Sequence, residues 1–288
     1  MKNSRKIIFY TLYALVAMGF FLFWRFPSRT VSDLIVAQIK QVSPVLQVEI
    51  ENTYATFPPG LKLEPVTMAY ADLPIARFDY LKITPGLLSL LGSQKEIDFN
   101  GVLGPGILKG KAALTSEDRG QSKITLNLDR VPLDLLTFLK QWPDYKVAGD
   151  LNAYVDFDSR KGTGGTTNVS LDLAPARITF TNPLMGIEQL EFSQVQTEMT
   201  VTPRMIQIKR CDAAGAQIEG KITGSIVFRQ PIQSSRLTLS CTLKPQAAFI
   251  AEHRNDMIAA MLGSETAQKR GVVLRISGTL DNPSYVIR

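Results

Sequence analysis

Histidine and cysteine are nearly missing from this chain. One histidine, His253, and two cysteines, Cys211 and Cys241, stand among 288 residues. That excludes a site with two imidazole ligands, a four-cysteine zinc site and a disulfide-dense scaffold. No GxSxG turn is present to carry a hydrolase nucleophile, so His253, between Glu252 and Arg254, reads as a surface or cap-proximal side chain. Acidic residues are missing from the first thirty positions, which hold Lys2, Arg5, Lys6, Arg25 and Arg29. Those five account for most of the formal charge of +6, and the remainder carries 27 basic against 26 acidic residues. A near-neutral remainder offers no basic field to a phosphate backbone, so no nucleic-acid partner is expected. What is present is an ordinary globular balance, 45% apolar and 20% charged. It is enough for a core and unlike a disordered tail.

Ile7 to Trp24 reads IIFYTLYALVAMGFFLFW, without a charge, a proline or an amide. A helix of this length spans roughly 27 Å, near the thickness of a hydrocarbon core. A cleavage site needs small residues, but Phe21, Phe23, Trp24 and Phe26 occupy that region, so an uncleaved signal anchor is expected. Lys2, Arg5 and Lys6 precede the span and favour a cytoplasmic N-terminus. The expected organisation is a cytoplasmic segment 1–6, a transmembrane anchor 7–24, a juxtamembrane linker and helix 25–45, and an exported β domain 46–288.

Within the linker, Val31, Leu34, Ile35, Ile39 and Val42 fall at helical spacing, with Thr30 or Ser32 as the expected N-cap and Pro44 beyond the end. From Leu46 onward the dominant period is two, the spacing of a strand with one buried face. It is cleanest in Ile218, Gly220, Ile222, Gly224, Ile226 and Phe228, interleaved with Glu219, Lys221, Thr223, Ser225 and Val227. Leu237, Leu239, Cys241 and Leu243 repeat it, as do Leu274, Ile276 and Leu280 with Val272. Ile124, Leu126 and Leu128, then Leu151, Ala153, Val155 and Phe157, and Val169, Leu171 and Leu173 supply further strands. Turn chemistry at 104–106, 160–165, 213–215 and 229–235 separates the runs into successive hairpins.

Three other helical segments are expected: Pro85 to Leu91, Leu133 to Lys140, and Gln246 to Leu262. These are too few to cover the apolar face of a long sheet. The expected fold is therefore mainly β: an elongated antiparallel sheet with a few short helices, curled into a gutter or taco-like shape, a sandwich, a barrel or an apolar ligand being the other ways to hide that face. Ile218, Ile222, Ile226, Phe228, Leu237, Leu239, Leu243, Leu274 and Ile276 are the candidate apolar face. Phe249, Ile250, Met257, Ile258 and Met261 form a stripe on the last helix, which is expected to cover one end of the sheet, or else to act as a lid or docking helix.

Other candidates carry less. Ser159 to Thr166 resembles a phosphate loop superficially, but Lys161 precedes the glycines and a strand follows, so a flexible turn is expected. Asp156 and Asp158 share a strand face and could pair for acid-base or calcium chemistry, although no further carboxylates accompany them. In a simple meander the strands of Cys211 and Cys241 flank the strand 218–228. That separates them by roughly 9 to 10 Å, beyond disulfide reach, and two free, partly buried thiols are expected. No cofactor or metal is expected, and no enzymatic function.

Several segments resemble the AsmA-like envelope proteins, and within them the N-component family of the bacterial type II secretion system in its single-span periplasmic form. The resemblance rests on the anchor, on Phe57-Pro58-Pro59-Gly60-Leu61, on Leu81 to Leu114 (LKITPGLLSLLGSQKEIDFNGVLGPGILKGKAAL), and on the closing Ile276-Ser277-Gly278-Thr279-Leu280-Asp281-Asn282-Pro283. It implies a single-pass inner-membrane protein of a diderm bacterium, with its bulk in the periplasm and no catalytic residues. Its implied partners are the inner membrane and other type II secretion components. Phospholipid acyl chains are the alternative ligand if the sheet's apolar face stays open.

Overall fold

The computed structural model describes residues 9–11, 13, 17, 26–42, 44–70, 73–86, 89, 92, 94–115, 122–141, 144–162, 164–184, 187–252 and 270–287. Of the expected anchor 7–24, only Phe9, Tyr10, Thr11, Tyr13 and Ala17 are among them, and the rest lies outside the described residues. No helix of the described residues is long and apolar enough to cross a membrane. The chain is mainly β and divides into two compact units, Met1–Thr84 and Pro85–Arg288.

In the first unit, helix α1 (Ser28–Val42) precedes strands β1 (Leu46–Thr56), β2 (Gly60–Tyr70), β3 (Leu73–Phe78) and β4 (Tyr80–Pro85). The helix starts two residues before the expected Thr30. Pro27 precedes its first turn and its carbonyl accepts the Val31 amide at 3.1 Å. Ser32 is not the N-cap: it lies inside the helix, buried, with its hydroxyl 3.0 Å from the Ser28 carbonyl and 2.6 Å from Thr53 Oγ1 on β1. Leu34, expected on the apolar stripe, stands 61% exposed. Strand β2 pairs antiparallel with β1 along its length, with β3 through Val66–Tyr70 and with β4 through Leu61–Leu63. Leu63, Val66, Ala76 and Phe78 form the buried centre of this unit.

The second unit holds β5 (Gln94–Leu103), β6 (Gly106–Thr115), β7 (Ser122–Pro132), β8 (Tyr145–Asp158), β9 (Thr166–Leu184) and β10 (Ile187–Phe192). It continues with β11 (Gln194–Val201), β12 (Met205–Ala214), β13 (Ile218–Val227), β14 (Arg236–Pro245), β15 (Val272–Thr279) and β16 (Pro283–Ile287). Each strand pairs antiparallel with the next in the order β5-β6-β7-β8-β9-β11-β12-β13-β14-β15-β16, while β10 pairs with the far end of β9. The path never returns to an earlier strand, so the sheet is not closed. The meander expected around β13 is present, with Cys211 and Cys241 both opposite Ile222 and both free.

Among the described residues, four strands carry one extra residue each, β3 between Pro74 and Ala76 and three in the second unit. On β7 the slip falls between Leu128 and Val131, on β9 between Leu173 and Ala176, and on β12 between Ile208 and Cys211. Such bulges bend a strand and increase its twist.

Few helical elements accompany the sheet. The expected helix Leu133 to Lys140 is instead two short 3₁₀ segments, Leu133–Leu135 and Thr137–Gln141, because Pro132 enters in extended geometry and Leu136 breaks the run with ψ near 98°. Pro85 ends β4 rather than starting a helix. Of the residues after it, Ser89 sits in a 3₁₀ turn, with its amide and hydroxyl both donating to the Gly86 carbonyl. Helix α2 (Ala247–Glu252) is the described part of the expected Gln246 to Leu262 helix. The closing Gly278–Pro283 motif is a turn rather than the end of the sheet. The Thr279 amide donates to the Asn282 carbonyl, and β16 follows.

Candidate functional site

Register decides which side chains share a face of the sheet in the second unit. Ile226, Leu237, Gly224, Leu239, Ile222, Cys241, Gly220 and Leu243 pair directly between β13 and β14. On β15, Gly278, Ile276, Leu274 and Val272 continue the same four rows. Of the expected face residues, Ile218, Ile222, Ile226, Leu237, Leu239, Leu243, Leu274 and Ile276 therefore lie on one side. Phe228 follows β13 and is held by its amide, which donates to the Arg204 carbonyl at 2.8 Å.

The rows extend well past the residues singled out from sequence. The row of Gly224 runs through Ile208, Met199, Val169, Val155, Leu126 and Gly110 to Phe99. The next runs from Ile222 through Cys211, Thr197, Leu171, Ala153, Leu128 and Leu108. One apolar face is thus continuous from β5 to β15. Gly224 shows how closely neighbouring strands approach on this side: its φ is +140°, and an added Cβ would stand 2.2 Å from the Thr238 carbonyl.

Burial distinguishes this face from a core. In the central rows Leu126, Val155, Val169, Met199, Ile208, Ile222, Leu239, Leu274 and Ile276 all remain partly exposed. Cys241, Ala153 and Leu237 are the buried members, at 7%, 4% and 7% exposure. No described layer of helices covers these rows.

Covering elements sit at one end of the strands. Phe249 on α2 is 1% exposed and packs with Ile218 against Phe180, Leu190, Leu243 and Val272. Ile250 is partly exposed, and Met257, Ile258 and Met261 lie outside the described residues, as does His253. Near the start of β8 the 3₁₀ segments lie against the sheet, leaving an apolar hollow of about 400 Å³ lined by Leu133, Leu139, Tyr145 and Val147. Burial, and then the nearby Asp144 carboxylate, push the Tyr145 hydroxyl above its ordinary pKa.

The opposite face is polar. Arg210 meets Glu198 at 2.8 Å, Gln194 donates to both oxygens of Asp172, and Thr200 donates to Asn168 at 3.1 Å. Asp156 and Asp158 do not act as a pair. The Lys123 ammonium lies 3.7 Å from Asp156 Oδ1, while buried Asp158 is engaged by Arg160 through its side chain and its amide. Those hydrogen bonds hold the Asp158 pKa down to about 2. Ser159 to Thr166 is the β8–β9 turn, with Gly162, Gly164 and Gly165 at positive φ and a strand after it, so it presents no helix N-terminus to a phosphate. Among the described residues, no group of three or more His, Cys, Asp or Glu side chains could hold a metal ion.

No protein-family model, curated protein or solved structure matches this chain.

Proposed function

We propose that the chain is a non-enzymatic envelope protein, anchored in a bacterial inner membrane by residues 7–24, whose second unit curls in the periplasm into a gutter for phospholipid acyl chains. The observation that carries this reading is the continuous apolar face from β5 to β15, whose central rows stay partly exposed. Bulges on β7, β9 and β12 support the curl. Eleven strands at about 4.8 Å spacing extend roughly 50 Å, longer than one acyl chain. Each methylene moved from water onto the face is worth about 0.8 kcal/mol, so a single chain supplies on the order of 10 kcal/mol before its ordering cost. Phe249 and the hollow beside Leu133 and Leu139 would close one end.

Native mass spectrometry of the full chain released from micelles tests this. Phospholipid adducts are expected on the unmodified chain, and the double substitution Ile222→Arg, Leu239→Arg should remove them while any lipid held by the anchor stays. Adducts unchanged by that substitution would overturn the gutter.

The order of anchor, Phe57–Leu61 turn, Leu81–Leu114 segment and Gly278–Pro283 turn supports a second reading, a structural component of the type II secretion apparatus. Unchanged secretion after deletion of the gene, with no secretion protein co-purifying, would sink it.

A further inference from the structure

The polar face carries a hollow that the acyl-chain reading does not use. Register places Asn127, Tyr154, Ser170, Glu198 and Arg210 side by side on β7, β8, β9, β11 and β12. Ser170 is the smallest of the five and stands between Tyr154 and Glu198, so the row dips in the middle. Asn152, Asp172 and Gln196 form the adjoining row. The resulting depression encloses about 280 Å³, at the small end of ligand sites.

We infer that this hollow is a binding site for a neutral saccharide. The side chains of Asn127, Tyr154, Ser170 and Gln196 are exposed and line the opening, so amide and hydroxyl groups that both donate and accept face a ligand there. The Tyr154 side chain is 50% exposed and offers an aromatic surface with a polar tip. A pyranose matches that pairing, with an apolar C–H face and a rim of hydroxyls. Charge disfavours an anion. Glu198 and Arg210 neutralise each other at 2.8 Å, Asp212 lies 3.7 Å from the same guanidinium, and Asp172 is held by Gln194. Among the described residues, no free cation remains in the hollow for a phosphate or other anion. The apolar face lies on the other side of the sheet, so this inference stands or falls independently of acyl-chain binding.

Saturation-transfer NMR on the full chain in lipid nanodiscs tests the site, with diacetylchitobiose and maltotriose as neutral probes and methyl phosphate, whose methyl protons report transfer, as the anionic one. Transfer to ring protons of at least one saccharide is expected. Tyr154→Ala should weaken binding about tenfold, the scale of one aromatic contact. Ser170→Trp should fill the hollow and abolish binding, whereas Thr223→Trp, elsewhere on the polar face, should leave it intact. Should Ser170→Trp prove misfolded by circular dichroism, Tyr154→Ala, at a half-exposed position, decides alone. Absence of saccharide transfer at millimolar concentration, stronger transfer to methyl phosphate, or wild-type binding by Tyr154→Ala would overturn the inference.

Discussion

Replacing Phe249 with alanine separates the covered end of the apolar face from its open middle. The ring is 1% exposed and packs with Ile218, itself 4% exposed, against Phe180, Leu190, Leu243 and Val272. Truncating a phenylalanine enclosed in this way costs about 3–5 kcal/mol. Phe249 is the buried contact of helix α2 with the sheet, so losing the ring should release the helix from it. Leu239 lies on the same face but is partly exposed, and removing its side chain opens no closed cavity. Leu239→Ala should therefore cost only about 1 kcal/mol. Urea unfolding of the full chain in zwitterionic micelles, followed by far-ultraviolet circular dichroism, reads both values. Hydrogen exchange at the Ile250 amide, which donates to the Gln246 carbonyl at 3.2 Å, reports release of the helix. Equal costs above about 3 kcal/mol at both positions would mean that the middle of the face is covered too, and would refute the reasoning. A negligible cost at Phe249 would refute the cap.

Other consequences follow from single residues. Gly224→Ala should destabilise by about 1–3 kcal/mol through strain at positive φ, and by more if the strand cannot yield to the 2.2 Å approach to the Thr238 carbonyl; a thermal midpoint equal to wild type would contradict the close pairing of β13 with β14. Asp158 has a folded pKa of about 2, below the ordinary 3.8, so its bond to Arg160 stabilises the β8–β9 turn above pH 4 and is lost as pH falls toward 2. Protection of the Lys161 amide, which donates to the Asp158 carbonyl at 3.3 Å, should fall relative to its intrinsic exchange rate over that window in wild type but not in Asp158→Asn, and matching profiles would remove the role. Cys241 is buried, and desolvation followed by the nearby Cys211 raises its thiol pKa. Maleimide should therefore label the partly exposed Cys211 first. Faster labelling of Cys241, or a Cys211–Cys241 disulfide peptide, would break the meander register.

Legibility in the sequence tracked regularity of the strands. Where β13, β14 and β15 run without interruption, alternation identifies the face directly, as Ile218 to Ile226 and Leu237 to Leu243 demonstrate. Where a bulge intervenes the period slips by one and the pattern dissolves. Ile206 and Ile208 are followed by Cys211 and Ala213, so β12 hides its share of the face behind Lys209 and Arg210. Leu128 to Val131 and Leu173 to Ala176 slip in the same way. Read as phase shifts, these are themselves bulge signals. Helical spacing singles out Phe249, but its partners Phe180 and Leu190 carry no such signal, since they come from the far end of β9 and from β10. Local pattern also overstated helix at 133–140, where Pro132 and the extended Leu136 leave room only for 3₁₀ turns. The polar hollow had no linear signal: Tyr154, Ser170 and Glu198 become neighbours only through strand register.

The central claim is that the apolar rows of the second sheet are open to lipid rather than filled. A photoreactive amino acid placed at Ile222, on those rows, and separately at Thr223, on the polar face, tests it in growing cells. The account predicts phospholipid crosslinked at 222 and not at 223, whereas absence of lipid at 222, or equal capture at both, would contradict it.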